Sequence, residues 1–226
     1  MTVTFQISED QLQSSLGPVA LFAGTDKTLP RLRAVQLTVS GGSDVVLTAT
    51  DRFTAAIAQP TVAHVKAPHN VQVLVELDDV KKILATFKKM PPASMVLFDV
   101  DPDRVTVSAL NGATLTLRPL EGDYPRVASL FRNALEGAGV NESIGSQRVG
   151  SAHLERVAKA SKLIKTIERG TVPTVLEVHG SGLRKPVLYV LGDQVLALVM
   201  PHVGADAVEK AAGLITDWTN RLGEVA

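Results

Sequence analysis

The chain has no cysteine, few aromatic residues and no net charge. The absence of cysteine excludes disulfide scaffolds, thiolate metal sites and cysteine nucleophiles. Aromatic residues make up 4% of the 226 positions and apolar residues 45%, so a core must be built mainly of Val, Leu, Ile and Ala. Acidic and basic residues are equal in number. This balance argues against a generally basic nucleic-acid binder, so any contact with DNA must come from local segregation of charge.

The sequence also lacks a secretory leader and long apolar runs. Residues 1–5 have no basic region followed by an apolar segment, and no uninterrupted apolar stretch is long enough to cross a bilayer. These absences predict a soluble protein that stays in the cytoplasm.

Motifs of catalysis and metal binding are missing as well. The five histidines have neither HExxH nor His-x-His spacing, and no carboxylates accompany them at the spacing of metal ligands. The segments 41–43 and 180–182 are typical of hairpin turns rather than of phosphate-binding loops or nucleophile elbows. The sequence therefore predicts a protein that is not an enzyme and that needs no metal or cofactor.

A pattern of one strand, one helix and three strands recurs three times along the chain, with a period of roughly 60 residues. In the first pass we expect a strand at 3–7 and a helix from the cap Ser8 towards Ala23, kinked at Gly17-Pro18. The strands of this pass follow at 33–39, 44–48 and 53–58. This order predicts an α+β fold of β-α-β-β-β modules, with helices on one face of antiparallel sheets.

The second and third passes repeat that order. The second has a strand at 71–75, a helix at 77–89 and strands at 95–100, 104–109 and 113–117, with the hairpin signal Asn111-Gly112 before the last. The third runs from 147, with a helix at 151–168 and strands at 174–178, 186–191 and 195–200. The predicted organisation is two modules in 1–130, a glycine-containing linker at 131–146, a third module at 147–204 and a C-terminal helix at 205–226.

Several short motifs stand in a characteristic order along these modules. They are Ala49-Thr50-Asp51-Arg52, Glu121-Gly122-Asp123-Tyr124-Pro125, and an apolar strand that ends on Met200-Pro201. In order and spacing, the chain resembles the bacterial DNA polymerase III beta sliding clamp family. Residues 1–130 resemble the middle domain of that family, and the third module resembles the second half of its last domain. The resemblance implies a DNA clamp-like fold.

Members of that family encircle duplex DNA, with helices lining a central hole, and tether replication proteins. The resemblance thus implies a DNA polymerase processivity factor without sequence specificity. Basic side chains on the second and third helices are the expected DNA-binding residues: Lys81, Lys82, Lys88, Lys89, Arg156, Lys159, Lys162, Lys165 and Arg169. An ordinary solvated helix face explains such stripes equally well.

The family also binds peptides of polymerases and the clamp loader in a pocket between its middle and last domains. The positions that match this pocket are Leu32, Thr50, Arg52, Ala55, Pro125, Leu130, Leu198, Met200 and Pro201. Taken singly, each could be simple core packing. One departure is that Arg52-Phe53-Thr54 stands where the family has Gly-His-Arg, so a small residue is lost at the pocket.

The odd number of modules bears on assembly. The third module corresponds to only half a domain of the family, which leaves a sheet edge uncovered. We therefore expect a homo-oligomer in which third modules pair across a twofold axis. The module count suggests a tetramer; a dimer or trimer is also open, as is a monomer whose edge is covered by the C-terminal extension. A non-encircling protein that binds clamp partners or a host clamp is the alternative function.

The C-terminal extension has no counterpart in the family. Asp206 can cap a helix with one apolar stripe: Val208, Ala211, Ala212, Ile215, Trp218 and Leu222. The stripe could be buried on the body of the protein, in an oligomer interface, or over the adjacent pocket.

Overall fold

A computed structural model describes residues 2–41, 44–88, 90–91, 94–136, 149–164, 176–179 and 185–201. The expected C-terminal helix and most of the expected linker lie outside these residues. None of the helices in the described part of the chain has the length and apolar character needed to cross a bilayer.

The first pass contains the elements that the sequence predicts, although its helix ends at Ala20, before the expected Ala23. Ser8 caps the first helix, where its Oγ accepts a hydrogen bond from the backbone N–H of Gln11 at 3.3 Å. Pro18 lies inside this helix, near its end. The elements are β1 (Val3–Ser8), α1 (Glu9–Ala20), β2 (Ala34–Val39), β3 (Val45–Thr50) and β4 (Thr54–Ala58).

One strand that the sequence did not indicate, β5, lies between the first and second passes. Its side chains are partly or fully exposed, so the apolar alternation that reveals a strand is weak there. Gly112 takes φ +88° in the predicted Asn-Gly turn. The elements are β5 (Val62–Lys66), β6 (Val71–Glu76), α2 (Leu77–Thr86), β7 (Met95–Asp101), β8 (Arg104–Ala109) and β9 (Thr114–Leu117).

The last part of the described chain departs from the prediction in two places. A helix, α3 (Val127–Glu136), occupies the end of the second expected module and the start of the segment expected to be a linker. The next helix, α4 (Ser151–Leu163), ends before the expected residue 168, because Ile164 already has extended backbone angles. The strands are β10 (Leu176–His179), β11 (Val187–Leu191) and β12 (Val195–Val199).

Two antiparallel sheets organise these elements. The first has the strand order β5-β1-β7-β8-β9, and the second has the order β10-β11-β12-β4-β3-β2-β6. The first two passes therefore exchange their leading strands, since β1 joins the strands of the second pass and β6 those of the first. The third pass extends the second sheet, because β12 pairs with β4 in the register Leu198 to Ala55.

Three helices, α1, α2 and α4, cover one face of this arrangement and meet side by side. α1 contacts both α2 and α4. The main core lies between these helices and the two sheets, and its large side chains include Phe5, Phe22, Phe87 and Ile83. The α+β class with helices over antiparallel sheets is thus confirmed.

Candidate functional site

A cavity lies where the third pass joins the first. It has a volume of about 230 Å³ and opens at the junction of β4 with β12. Its lining residues are Thr50, Arg52, Phe53, Thr54, Ala55, Leu130, Asn133, Ala134, Lys185, Pro186, Leu198 and Met200. We call this cavity the junction pocket.

Strand alternation creates the floor of the junction pocket. In β4 and β12, every second side chain faces the main core, and the others, such as Ala55 and Leu198, face the opposite side of the sheet. There Val127 and Phe131 of α3 pack on Ala55, Leu188 and Leu198 as a small second core. α3 is therefore one wall of the pocket.

The loop between β3 and β4 forms another wall, and hydrogen bonds to Asp51 fix its shape. The Asp51 carboxylate accepts hydrogen bonds from the backbone N–H groups of Phe53 at 3.0 Å and Thr54 at 2.7 Å. Arg52 takes a left-handed backbone with φ +83° inside this loop. The position where the family has glycine is thus held by arginine in a conformation that favours glycine.

Arg156 of α4 joins this loop from the third pass. Its guanidinium donates hydrogen bonds to the Asp51 carboxylate and, at 2.6 Å, to Thr54 Oγ1. Both charged side chains are largely covered, with 15% of Asp51 and 25% of Arg156 exposed. Burial disfavours the charge on Asp51, but the bonds from Arg156 and Thr54 outweigh it and lower its pKa.

Tyr124 connects the motif 121–125 to the same region. Its hydroxyl donates a hydrogen bond to the carbonyl of Ala34 at 3.2 Å and accepts one from the N–H of Thr50 at 3.1 Å. Burial raises the pKa of Tyr124 to about 12. The neutral phenol therefore ties this motif to the end of β3, beside the pocket.

The structure brings together most of the pocket positions expected from the sequence. Those that line the cavity are Thr50, Arg52, Ala55, Leu130, Leu198 and Met200, whereas Leu32, Pro125 and Pro201 are not among the lining residues. Sequence reasoning missed Lys185 and Pro186, which precede β11, and Asn133 and Ala134 of α3. The spacing of Val127, Phe131 and Ala134 at i, i+4 and i+7 was a signal for that helix.

The cations expected to face DNA fall into several groups. Lys89, Lys165 and Arg169 lie outside the described residues. Lys81, Lys82 and Lys159 form ion pairs with Asp78, Asp79 and Glu155 at 3.2, 2.7 and 2.7 Å. Arg156 differs from the expectation of a solvent-facing cation, because it is bound to Asp51 at the pocket.

A groove of about 880 Å³ runs along α1, α2 and α4. Lys81, Lys88 and Lys162 line it, together with Glu9 and Asp10. The three helices and the turn after α2 carry six basic and five acidic side chains among the described residues. These helices are therefore close to electrically balanced, and three of their cations line one groove.

Comparison with known proteins identifies this arrangement. No protein-family model matches the chain. The beta sliding clamp of Streptomyces coelicolor is 29% identical over 135 residues, which cover 58% of this chain and 35% of that protein. Two solved DNA polymerase sliding clamps superpose on 89% of the chain: that of Pseudomonas aeruginosa with TM-score 0.69 and 14% identity, and that of Bacillus subtilis with TM-score 0.67 and 16% identity.

The chain thus has the sliding-clamp fold, and the resemblance found in the sequence is confirmed. It spans 66% and 64% of the length of those two solved clamps.

Proposed function

We propose that this chain is a noncatalytic, sliding-clamp-like processivity factor that tethers replication proteins to duplex DNA. The observation that carries the proposal is the junction pocket, in which six positions expected from the family resemblance line one cavity. The sliding-clamp fold and the similarity to a beta sliding clamp support the same role.

The junction pocket suits a short peptide with apolar anchors. Leu130, Leu198 and Met200 supply branched and thioether side chains that can adapt to different anchors. Arg52 and Lys185 add positive charge to the lining, so an acidic residue near the anchor is favoured. We infer that segments of a DNA polymerase and of a clamp loader bind here.

The helix face supplies the proposed contact with DNA. Lys81, Lys88 and Lys162 meet at one groove, where they can contact phosphates without reading bases. The nearby acidic residues keep this contact weak, which permits sliding. Lys82 and Lys159 extend the cationic surface, as do Lys89, Lys165 and Arg169 outside the described residues.

Retention on DNA by such weak contacts requires encirclement, so the proposal includes a homo-oligomeric ring. The sheet edge at β10 is one place where a second copy could pair, since β10 is hydrogen-bonded only to β11 among the described strands. The module count suggests a tetramer, and native mass measurement distinguishes it from a dimer, a trimer or a monomer.

The charge balance of the helix face favours a second candidate function. Five acidic residues accompany six basic ones on these helices, and one of the six, Arg156, is already bound to Asp51. A non-encircling protein that binds clamp partners or a host clamp therefore needs no further assumption about DNA. Both candidates use the junction pocket, and they differ in the use of the helix face and in whether a ring forms.

Retention on closed circular DNA separates the two. The purified protein is loaded on nicked circular DNA with a matched clamp loader, and the retained fraction is measured before and after linearisation. Retention that is lost on linearisation supports encirclement. Equal retention on both forms, or none on either, contradicts the ring and favours the second candidate.

The pocket is tested with labelled short peptides that carry adjacent leucine and phenylalanine. Leu130→Glu and Met200→Glu place a charge at the pocket, where both side chains are about half exposed, so folding should persist. Leu110→Glu is the matched control, since Leu110 is fully exposed and remote from the pocket. Binding that survives both pocket substitutions would remove the peptide role.

A further inference from the structure

The mouth of the junction pocket leaves large apolar side chains in solvent. Phe53 is 58% exposed, Leu130 50% and Met200 44%. All three line the same cavity. A cluster of exposed apolar side chains at a concave site marks a surface that another segment covers.

The charge at the pocket is one-sided. Arg52 and Lys185 both line it, and no acidic residue is among its lining residues. The nearest carboxylate in the loop, Asp51, is already bound by Arg156. The pocket therefore fits a ligand that combines an apolar anchor with a carboxylate.

The chain itself continues from the pocket. The backbone N–H of Met200 donates a hydrogen bond to the carbonyl of Phe53 at 2.8 Å, which fixes the end of the last described strand at the mouth. Beyond Pro201 lie residues 202–226, which carry four acidic and two basic side chains and the chain's single tryptophan, Trp218. Their apolar residues recur at helical spacing from Val208 to Leu222.

We propose that residues 205–226 fold back on the same chain and insert Trp218 into the junction pocket, with Asp217 beside Arg52 and Lys185. A cavity of about 230 Å³ admits one large side chain rather than a whole helix face. Tryptophan suits it because its ring gives a large apolar contact, its N–H can donate to Thr50 or Asn133, and cations favour its π face.

Chain length permits this contact. A helix rises about 1.5 Å per residue and an extended chain about 3.3 Å, so the residues between Pro201 and Trp218 reach roughly 25 to 55 Å. Four extended residues, 202–205, span about 13 Å and carry the start of the helix away from the mouth, so the roughly 20 Å of helix before Trp218 can lead back to the cavity. The remaining apolar positions of the segment then cover Phe53, Leu130 and Met200.

The occupied pocket is the one to which the proposed function assigns partner peptides. A partner must therefore displace residues 205–226 before it binds. Only partners that bind the pocket strongly enough to compete with the docked segment are then recruited. Docking of the segment does not itself depend on any partner, so it can be measured alone.

Because Trp218 is the chain's single tryptophan, its fluorescence reports on the segment in the full chain without an added label. In the unaltered protein we expect Trp218 emission at short wavelength and weak quenching by acrylamide. Leu130→Glu and Met200→Glu should shift the emission to longer wavelength and raise the quenching constant several-fold, whereas Leu110→Glu should leave both unchanged. Emission typical of exposed tryptophan in the unaltered chain, or no response to either pocket substitution, overturns the proposal.

A binding experiment in trans gives an independent measure. The full chain with Trp218→Ala contains no tryptophan, so a synthetic peptide of residues 205–226 is then the only emitter. We expect saturable binding that Leu130→Glu, added to the acceptor chain, weakens about tenfold or more. Binding unaffected by that substitution places the segment elsewhere and contradicts the proposal.

The two proposals can fail separately. If the peptide of residues 205–226 binds at the pocket and leucine–phenylalanine peptides do not displace it, the partner role fails and self-docking stands. If the short peptides bind with equal affinity to the unaltered chain and to Trp218→Ala, self-docking fails and the partner role stands. A change of Trp218 emission with protein concentration indicates docking on a second copy and contradicts the intrachain form.

Discussion

The guanidinium of Arg156 in α4 forms an ion pair with the carboxylate of Asp51 in the loop before β4. This pair joins the third pass of the fold to the first, next to the junction pocket. It is the only ion pair between these two passes among the described residues. The shape of the loop and the position of α4 therefore depend on each other.

Removal of this pair should destabilise the protein. Arg156→Met takes charged hydrogen bonds from the partly buried Asp51, and we expect a loss of about 1–3 kcal/mol in the free energy of unfolding, measured with urea. Lys159→Met is the matched control, since its pair with Glu155 is exposed and solvent screens it, so its removal should cost much less than the removal of Arg156. Equal losses for the two variants would show that the Asp51–Arg156 pair contributes no more to the free energy of unfolding than an exposed ion pair.

The same pair should give a pH dependence at acid pH. The pKa of Asp51 is lowered in the folded protein, so the pair's contribution is complete above the ordinary pKa of about 3.9 and is lost as the pH falls through the lowered value. The stability difference between the unaltered chain and Arg156→Met should thus be constant near neutrality and shrink below about pH 4. Urea unfolding across this range measures it, and a difference that grows on acidification contradicts the assignment.

Tyr124 should produce a second pH dependence at the alkaline end. Burial raises the pKa of Tyr124 to about 12. The unfolded phenol ionises near pH 10, so this contribution is complete below about pH 10 and is lost as the pH rises through the folded value. The stability advantage over Tyr124→Phe should decline across that interval. An advantage that stays constant above pH 10 argues against a buried neutral phenol.

Arg52 should be replaceable with a gain in stability. Its φ of +83° is unfavourable for a residue with a Cβ, at a cost of about 1–2 kcal/mol. Both Arg52→Gly and Arg52→Ala remove the guanidinium, but only glycine removes the strain. The free energy of unfolding, measured with urea, should therefore be up to about 1 kcal/mol higher for Arg52→Gly than for Arg52→Ala. If Arg52→Ala is equally stable, the loop relaxes and the left-handed conformation is not enforced.

Lys88 and Lys162 should contribute to the salt dependence of DNA binding. Among the described residues, these two groove cations take part in no ion pair. The double substitution to glutamine should reduce the slope of log K against log salt by about 2, because each phosphate contact accounts for roughly 0.9. Lys185→Gln at the pocket is the control and should leave the slope unchanged, as measured by fluorescence anisotropy on duplex DNA. An unaltered slope in the double variant argues against a DNA contact at this groove.

Local patterns in the sequence predicted most of the secondary structure. Apolar alternation and helical spacing located β1 to β4 and α2, and Asn111-Gly112 located the turn before β9, because these signals depend on neighbouring residues only. β5 was missed because its side chains are only partly buried or are exposed, so apolar alternation is weak there. The helix α3 was hidden because the glycines after residue 136 gave the whole stretch the composition of a linker.

Long-range relationships could not be read in the same way. The charge pattern of α4 placed Arg156 with Lys159 and Lys162, since the sequence does not reveal that Asp51 lies opposite it. The extension of one sheet from β4 to β12 was equally invisible, because strand pairing between distant segments leaves no local pattern. The family resemblance supplied what periodicity could not: it indicated that Thr50, Leu130 and Met200 meet at one pocket.

The pairing of β4 with β12 also sets the time at which the junction pocket can exist during synthesis. β4 emerges early from the ribosome and β12 comes last among the described elements, so the floor of the pocket forms only after residues up to Val199 have left the exit tunnel. A growing chain consequently lacks a complete junction pocket until β12 has emerged.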